Sequence, residues 1–233
     1  MGVLLWRIRK VFQEYSREYE VIVYDDGSTD ETAATLEPYC KVLPLTILHG
    51  EKREGFGHAL NTLCADVSRR TKYPRRDAMV IMQGDFTDQP EVLPELLKRF
   101  EGGADIVTTE RERDAMPTAV RRLAKVGPWM MRPFVSAKDV VDPFSSFKLY
   151  RISLLRDYAK SAAGTPLVTT DGWASNLEMF IKLAPLARKI DTVAVAPRYD
   201  LRPRETRVRT FADAMALYRA GRASHGWRKP VAG

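Results

Sequence analysis

Two short stretches carry carboxylates in a pattern suited to ligand chemistry. The first is Val21-Ile22-Val23-Tyr24-Asp25-Asp26-Gly27-Ser28-Thr29-Asp30, an apolar run that stops at two carboxylates and a glycine. The second is Ala78-Met79-Val80-Ile81-Met82-Gln83-Gly84-Asp85-Phe86-Thr87-Asp88-Gln89-Pro90-Glu91, again an apolar run ending in a polar turn. Short continuous apolar runs of this kind read as strands covered on both faces of a parallel sheet. Ligands of open α/β sheets bind at the carboxyl ends of strands, so Asp25, Asp26 and Asp85 fall where chemistry is usually done. Taken alone, Asp-Asp-Gly reads equally well as a plain turn. Two parallel strands that deliver carboxylates to one edge favour a site.

Other groups could complete it. The segment from His49 to Gly57 carries Lys52, Arg53, Gly55 and Gly57 ahead of a helix over Ala59 to Arg70. A helix N-terminus behind a glycine-rich loop can cradle a diphosphate, and Lys52 or Arg53 would add charge. The same segment also reads as an ordinary loop-to-helix turn. Ser145, Ser146 and Lys148 bring hydroxyls and an ammonium that suit a phosphate. Asp171 and Glu178 lie seven apart, about two helical turns, and share a face if a helix starts at Asp171, although Gly172 works against that start. With three histidines in the chain there is no histidine cluster, and His58 receives no role.

These residues need elements to hold them. Leu4, Leu5, Ile8, Val11, Phe12 and Tyr15 recur at helical spacing, with Arg7, Arg9 and Lys10 opposite, which predicts an amphipathic helix over residues 3 to 15. Packing against the sheet is favoured over a membrane-surface or transit-peptide reading. Gly27 permits a backbone sign change, and Ser28, Thr29 and Asp30 can cap a helix near Glu31. Lys41 to Leu48 is a further strand, broken by Pro44, and Glu91 to Phe100 a further helix with Asp88 ahead of it as a cap. Arg113 to Met131 reads as a basic helical connection interrupted at Gly127-Pro128, suited to a flap over a ligand. A helix over Thr210 to Arg222 closes the chain.

With 233 residues, 45% hydrophobic and 29% charged, the chain is long enough for one large α/β domain, residues 1–233. Cys40 and Cys64 sit at no metal-ligand spacing and read as reduced core thiols, which places the chain in the cytoplasm. No run approaches the ~18 apolar residues of a membrane span, so membrane contact would be peripheral. The net charge of +7 is concentrated at the end, where Arg198 to Gly233 holds nine Lys/Arg against three Asp/Glu. Such an end suits substrate phosphates, an anionic membrane surface or nucleic acid, or it is a solvated tail. Its aromatics are too sparse for a nucleic-acid platform.

The first stretch resembles the nucleotide-binding turn of family-two glycosyltransferases of the GT-A fold, and the second resembles their metal-binding Asp-x-Asp turn with its following Pro-Glu. Gly103-Ala104-Asp105-Ile106-Val107-Thr108-Thr109-Glu110-Arg111 is a third match. Asp142-Pro143-Phe144-Ser145-Ser146-Phe147-Lys148-Leu149-Tyr150-Arg151 is similar to the acceptor-side motif of dolichol-phosphate mannosyltransferase-like enzymes. Asp171 to Met179 resembles the family's Gly-aromatic…Glu segment. Arg202-Pro203-Arg204-Glu205-Thr206-Arg207 resembles its Arg…Gly-x-Ser-Lys loop, with Thr206-Arg207 in the Ser-Lys place.

The resemblance implies an α/β fold, a mainly parallel mixed sheet flanked by helices. Residues 1–135 would form the nucleotide-sugar half and 136–233 the acceptor half. It implies transfer of a hexose from a nucleoside-diphosphate sugar, with inversion, to a polyprenyl phosphate or related glycan acceptor. Donor binding would fall to Asp25, Asp26, Lys52, Arg53, Gln83, Gly84 and Arg111. Mg²⁺ or Mn²⁺ would sit on Asp85, assisted or not by Asp88, with Gln83 standing where the first Asp of the motif is usual. Ser145, Ser146, Lys148, Arg202, Thr206 and Arg207 would meet acceptor phosphate, with Lys148 where Arg is common. Asp171 or Glu178 would serve as base for a sugar-hydroxyl acceptor. The family begins one strand earlier, so either the chain is truncated or something else fills that place. A non-catalytic nucleotide-sugar-binding protein or inactive fragment is the alternative.

Overall fold

A computed structural model describes residues 2–85, 87–111, 121, 145–162 and 164–195. The expected connection over Arg113 to Met131 and everything from Arg198 onward, including Arg202, Thr206 and Arg207, lie outside them. Helix α1 (Gly2–Glu14) buries Leu4, Leu5, Ile8 and Val11, the stripe that its periodicity predicts, so this helix packs on the body of the protein. Its Arg7 forms an ion pair with Glu91 at 2.6 Å. Strand β1 (Val21–Asp25) follows, then the short helix α2 (Thr32–Leu36) and β2 (Leu45–His49), which starts just after Pro44. Asp30 Oδ1 accepts the Thr32 amide at 3.0 Å, as a residue ahead of a helix should.

Next come α3 (Phe56–Arg70), β3 (Ala78–Ile81), α4 (Leu93–Glu101) and β4 (Ile106–Arg111). The second half contributes β5 (Lys148–Arg151), α5 (Ile152–Ser161), α6 (Trp173–Leu183) and β6 (Ile190–Val195). β1 and β2 pair in parallel, while the other four strands form one sheet in the order β3-β5-β4-β6. Within it β5 runs antiparallel to both neighbours and β4 pairs β6 in parallel. This is the mixed α/β architecture expected. No described strand pairs β1 with β3, and the two sheets are joined through α1, whose apolar stripe shares one core cluster with Val21, Ala78 and Val80.

A second cluster packs α3, α5 and α6 on the opposite face through Leu60, Leu155, Tyr158 and Phe180. Cys64 belongs to it, and burial pushes its thiol up to about 12. Cys40 is exposed, contrary to the core position expected of it, and neither cysteine is bonded to the other.

Asp105, just ahead of β4, ties three segments. Its Oδ1 accepts from Arg151 Nε at 2.6 Å, and its Oδ2 from the Arg188 amide at 2.8 Å. Burial alone would raise this carboxyl, but bonds from Arg188 and Arg151 outweigh it and bring the group to about 2. Because the folded value lies below the unfolded one, this stabilisation is complete above pH ~4 and is lost as pH falls toward ~2. Asp105→Asn should therefore cost on the order of 2 kcal/mol at neutral pH and flatten the acid limb of stability. Urea titrations at stepped pH check this, and parallel acid limbs for variant and parent would contradict it.

Candidate functional site

The site starts where β1 ends. Asp25 is buried, and its Oδ1 accepts the Ser28 amide at 3.1 Å, closing the turn. The Ser28 hydroxyl is the main cause holding its carboxyl below the usual range, with the Ser28 amide adding to it, and His49 Nδ1 lies 3.6 Å from the other oxygen. Asp26 accepts the amides of Glu54 at 2.8 Å and Gly55 at 3.0 Å. Gly27 has φ 64, and a Cβ there would stand 2.7 Å from the Lys52 carbonyl carbon. A side chain at Gly27 would be strained and would also push the 51–57 segment away.

The far end of that segment is held from a different part of the chain. Asp171 Oδ1 accepts the Gly57 amide at 3.0 Å, and a Cβ on Gly57 would lie 2.1 Å from the Thr170 carbonyl oxygen. The first amides of a helix have no intrahelical partner and favour negative charge. At the start of α3 that charge is the Asp171 carboxylate, which corrects the expectation of a diphosphate cradle there. Lys52 and Arg53 remain exposed on the segment beyond.

Asp171 and Glu178 do not share a helix face. Gly172, at φ 63, breaks the backbone between Asp171 and α6, which begins at Trp173. Glu178 is 2% exposed. It accepts the amides of Thr169 and Thr170, each at 2.9 Å, both of their hydroxyls at 2.8 Å, and Lys182 Nζ at 2.7 Å. Burial would raise its carboxyl, but the bonds from Lys182, Thr169 and Thr170 hold it below the usual range. A carboxylate so enclosed cannot take a proton from an acceptor, so Glu178 is corrected from candidate base to structural anion.

The second strand end lies past β3. Gln83 donates from Nε2 to Ser146 Oγ at 3.0 Å, and its amide donates to Asp88 Oδ2 at 2.8 Å. Asp88 therefore closes this turn. Asp85 Oδ1 accepts the Thr87 amide at 3.1 Å, and Gly84 lies between the two. Thr109 on β4 bonds the Ser145 hydroxyl at 2.6 Å and donates to the Phe147 carbonyl at 2.8 Å. β5 thus enters with Ser145 and Ser146 beside the carboxyl ends of β3 and β4. Lys148 departs from expectation: it is 1% exposed, donates to the Ser145 carbonyl and stands 5.6 Å from the Phe180 ring centre. It braces the serine segment from within and does not meet solvent. Arg111 ends β4 opposite Val195, and its side chain lies outside the described residues.

Among the described residues, no group of three or more His, Cys, Asp or Glu gathers to hold a metal. The hard oxygen of Asp85 suits Mg²⁺ or Mn²⁺ arriving with phosphate, since these ions keep several positions for water and substrate. Thr169, Thr170, Asn61 and Lys182 were not legible as site residues. Asn61 bonds the Val168 carbonyl at 2.7 Å and its amide at 3.0 Å from 107 positions away, a pairing with no local sign. The Glu178–Lys182 spacing on one helix face was the single available signal.

A family model, Glycosyl transferase family 2, matches residues 3–159, and the chain belongs to this family. Its fold is GT-A. The dolichol-phosphate mannosyltransferase of Pyrococcus furiosus is 29% identical over 136 residues, 55% of this chain and 36% of that protein. The undecaprenyl-phosphate 4-deoxy-4-formamido-L-arabinose transferase of Pseudomonas fluorescens is 26% identical over 119 residues, 51% of this chain and 33% of that protein. The chain thus spans about a third of the length of these curated relatives. In fold it is similar to S. aureus TarS 1-349, with a TM-score of 0.56 at 16% identity, covering 94% of this chain and 61% of the other.

Gly57→Ala should lower stability by about 1–3 kcal/mol, because the added methyl meets a backbone oxygen and not a flexible side chain. Denaturant melts of the variant check this, and an unchanged midpoint would contradict the close approach of α3 to Thr170.

Proposed function

We propose that this chain transfers a hexose from a nucleoside-diphosphate sugar, with inversion, to a polyprenyl phosphate or a related glycan acceptor. The observation that carries this reading is the Gln83–Ser146 bond, which joins the turn carrying Asp85 to the serine segment entering β5. Metal-side and acceptor-side groups then lie against one another at the strand ends, where α/β sheets bind ligands. The printed names of two relatives specify dolichol phosphate and undecaprenyl phosphate, which supports a polyprenyl-phosphate acceptor. A TarS structure of like fold is described in complex with UDP-GlcNAc, which supports a nucleotide-sugar donor.

The reaction is a displacement. An acceptor oxygen forms the new bond to the anomeric carbon from the face opposite the leaving group, and the bond from that carbon to the diphosphate breaks. The turn from Asp25 to Asp30 receives base or ribose. Asp85 would hold Mg²⁺ or Mn²⁺, which would supply neutralisation of the leaving diphosphate's charge. Lys52 and Arg53, exposed on the segment seated by Asp26 and Asp171, add positive charge on the same side. Ser145 and Ser146 border the acceptor side.

A phosphate acceptor is already anionic and requires no base. A sugar hydroxyl would require one, and Asp171 is the candidate, since Glu178 has no accepting capacity left. The basic segment with Arg202, Thr206 and Arg207 provides the phosphate clamp and any peripheral membrane contact. Among the described residues no helix is long and apolar enough to cross a membrane.

The lone Asp85 and the Gln83 side chain committed to Ser146 favour a second reading, a nucleotide-sugar-binding protein without turnover. A thermal screen of GDP-, UDP- and dTDP-sugars with and without Mn²⁺ tests the first, because a ligand that binds the folded state raises the melting temperature. The expected result is a Mn²⁺-dependent rise with one donor class, lost in Asp85→Asn. No rise with any donor would defeat the proposal, and a rise without sugar release in the presence of polyprenyl phosphate would leave the binding protein.

A further inference from the structure

We propose that the buried Glu178–Lys182 pair is a positioning device, which fixes Thr169 and Thr170 so that Asp171 reaches the start of α3 and keeps the 51–57 segment seated. Its relevance to catalysis rests on the reading of that segment as part of the donor site.

The bonding is unusually complete. A carboxylate offers about four lone-pair sites, and Glu178 receives five hydrogen bonds. Four of them come from two consecutive residues, both as backbone amide and as hydroxyl. An anion that merely stabilised α6 would need Lys182 alone. Here it organises the residues that lead directly into Asp171.

The rest of this loop is held in the same way. Tyr158 Oη donates to the Pro166 carbonyl at 3.2 Å, and Lys182 Nζ reaches the same oxygen at 3.3 Å. Asn61 brackets Val168 with two bonds, and Ser175 Oγ donates to the Thr170 carbonyl at 2.8 Å. The last restraint is the Gly57 amide on Asp171 itself, 114 positions away. Glu178 thus acts on α3 and the 51–57 segment through Asp171. Lys182 supplies the countercharge that lets a carboxylate 2% exposed stay ionised.

Only an acceptor-only group meets these donors. In Glu178→Gln the NH₂ faces either the two amides on the Oε2 side or the Lys182 ammonium on the Oε1 side, all of which only donate, so one of these sets loses its acceptor and must move.

Amide hydrogen exchange followed by NMR on the whole chain reads the chain of cause without any substrate. In Glu178→Gln, protection at Thr169, Thr170 and also at Gly57 should fall at least tenfold relative to Leu149 and Tyr150 in β5. In Asp171→Ala, Gly57 should lose protection while Thr169 and Thr170 keep theirs. Glu178→Leu combined with Lys182→Met removes the acceptor and the unpaired ammonium together: melting temperature should recover, and Gly57 should stay unprotected. Should the first variant not fold, Thr170→Val removes one bond and no charge, and Gly57 should lose protection several-fold. Unchanged protection at Gly57 in Glu178→Gln, or its recovery together with stability in the double variant, would overturn the proposal. Titration of UDP-sugars and GDP-sugars into the same samples should show weaker binding in Glu178→Gln than in the parent. Absence of binding by the parent would defeat the donor-site reading alone, since the exchange result does not depend on it.

Discussion

The amides of Glu54, Gly55 and Gly57 are the constraint on which this site depends. The buried Gly57 and half-buried Gly55 amides must be paired, and a glycine-containing segment ahead of a helix cannot pair them within itself. Here the partners are carboxylates from two remote places, Asp26 at the end of β1 and Asp171 ahead of α6. The segment between β2 and α3 is thereby stitched to both halves of the chain. Its tight approaches, Gly27 against Lys52, Gly55 against Asp171 and Gly57 against Thr170, leave no room for side chains. The positions of Lys52 and Arg53 follow from that seating.

A similar economy governs the other strand end. β5, which enters antiparallel between β3 and β4, carries Ser145 and Ser146 to Gln83 and Thr109. Lys148 turns inward and braces the segment through the Ser145 carbonyl. Ser145 and Ser146 are buried and bonded to Thr109 and Gln83, and the half-buried Asp85 is the group here suited to a hard cation. Among the described residues, Lys52 and Arg53 on the 51–57 segment are exposed cations.

Much of this was legible in the sequence, and what was missed follows one rule. Strands β1 and β3 announced themselves as apolar runs, α1 as a 3.6-residue period, and the carboxyl-end placement of Asp25 and Asp85 followed from strand and turn order alone. Roles that depend on partners far along the chain were misassigned. Glu178 read as a base because its two threonines lie on the other side of a left-handed glycine that breaks the expected helix. The α3 start read as a phosphate cradle because nothing near Gly57 shows that Asp171 fills it. Lys148 read as a phosphate ligand because charge suggests solvent, whereas a strand flanked on both sides places it inside. Asp26 was read as a turn or ligand residue and Asp88 as a helix cap or metal ligand, and both satisfy backbone amides. Local pattern reported the elements, and only tertiary pairing reported which polar groups were already spent.

The central claim is that donor and metal meet at the strand ends between the Asp25–Asp26 turn and the Asp85 turn. Paramagnetic broadening by Mn²⁺ of the amide NMR spectrum, recorded with a bound nucleotide sugar, tests it most directly. The account predicts broadening centred on Gly84 and Asp85, extending to Asp26, Gly27 and the 51–57 segment, with Asp105 and Arg188 unaffected. Broadening centred elsewhere, or spread evenly over exposed carboxylates such as Glu95 and Glu101, would contradict it.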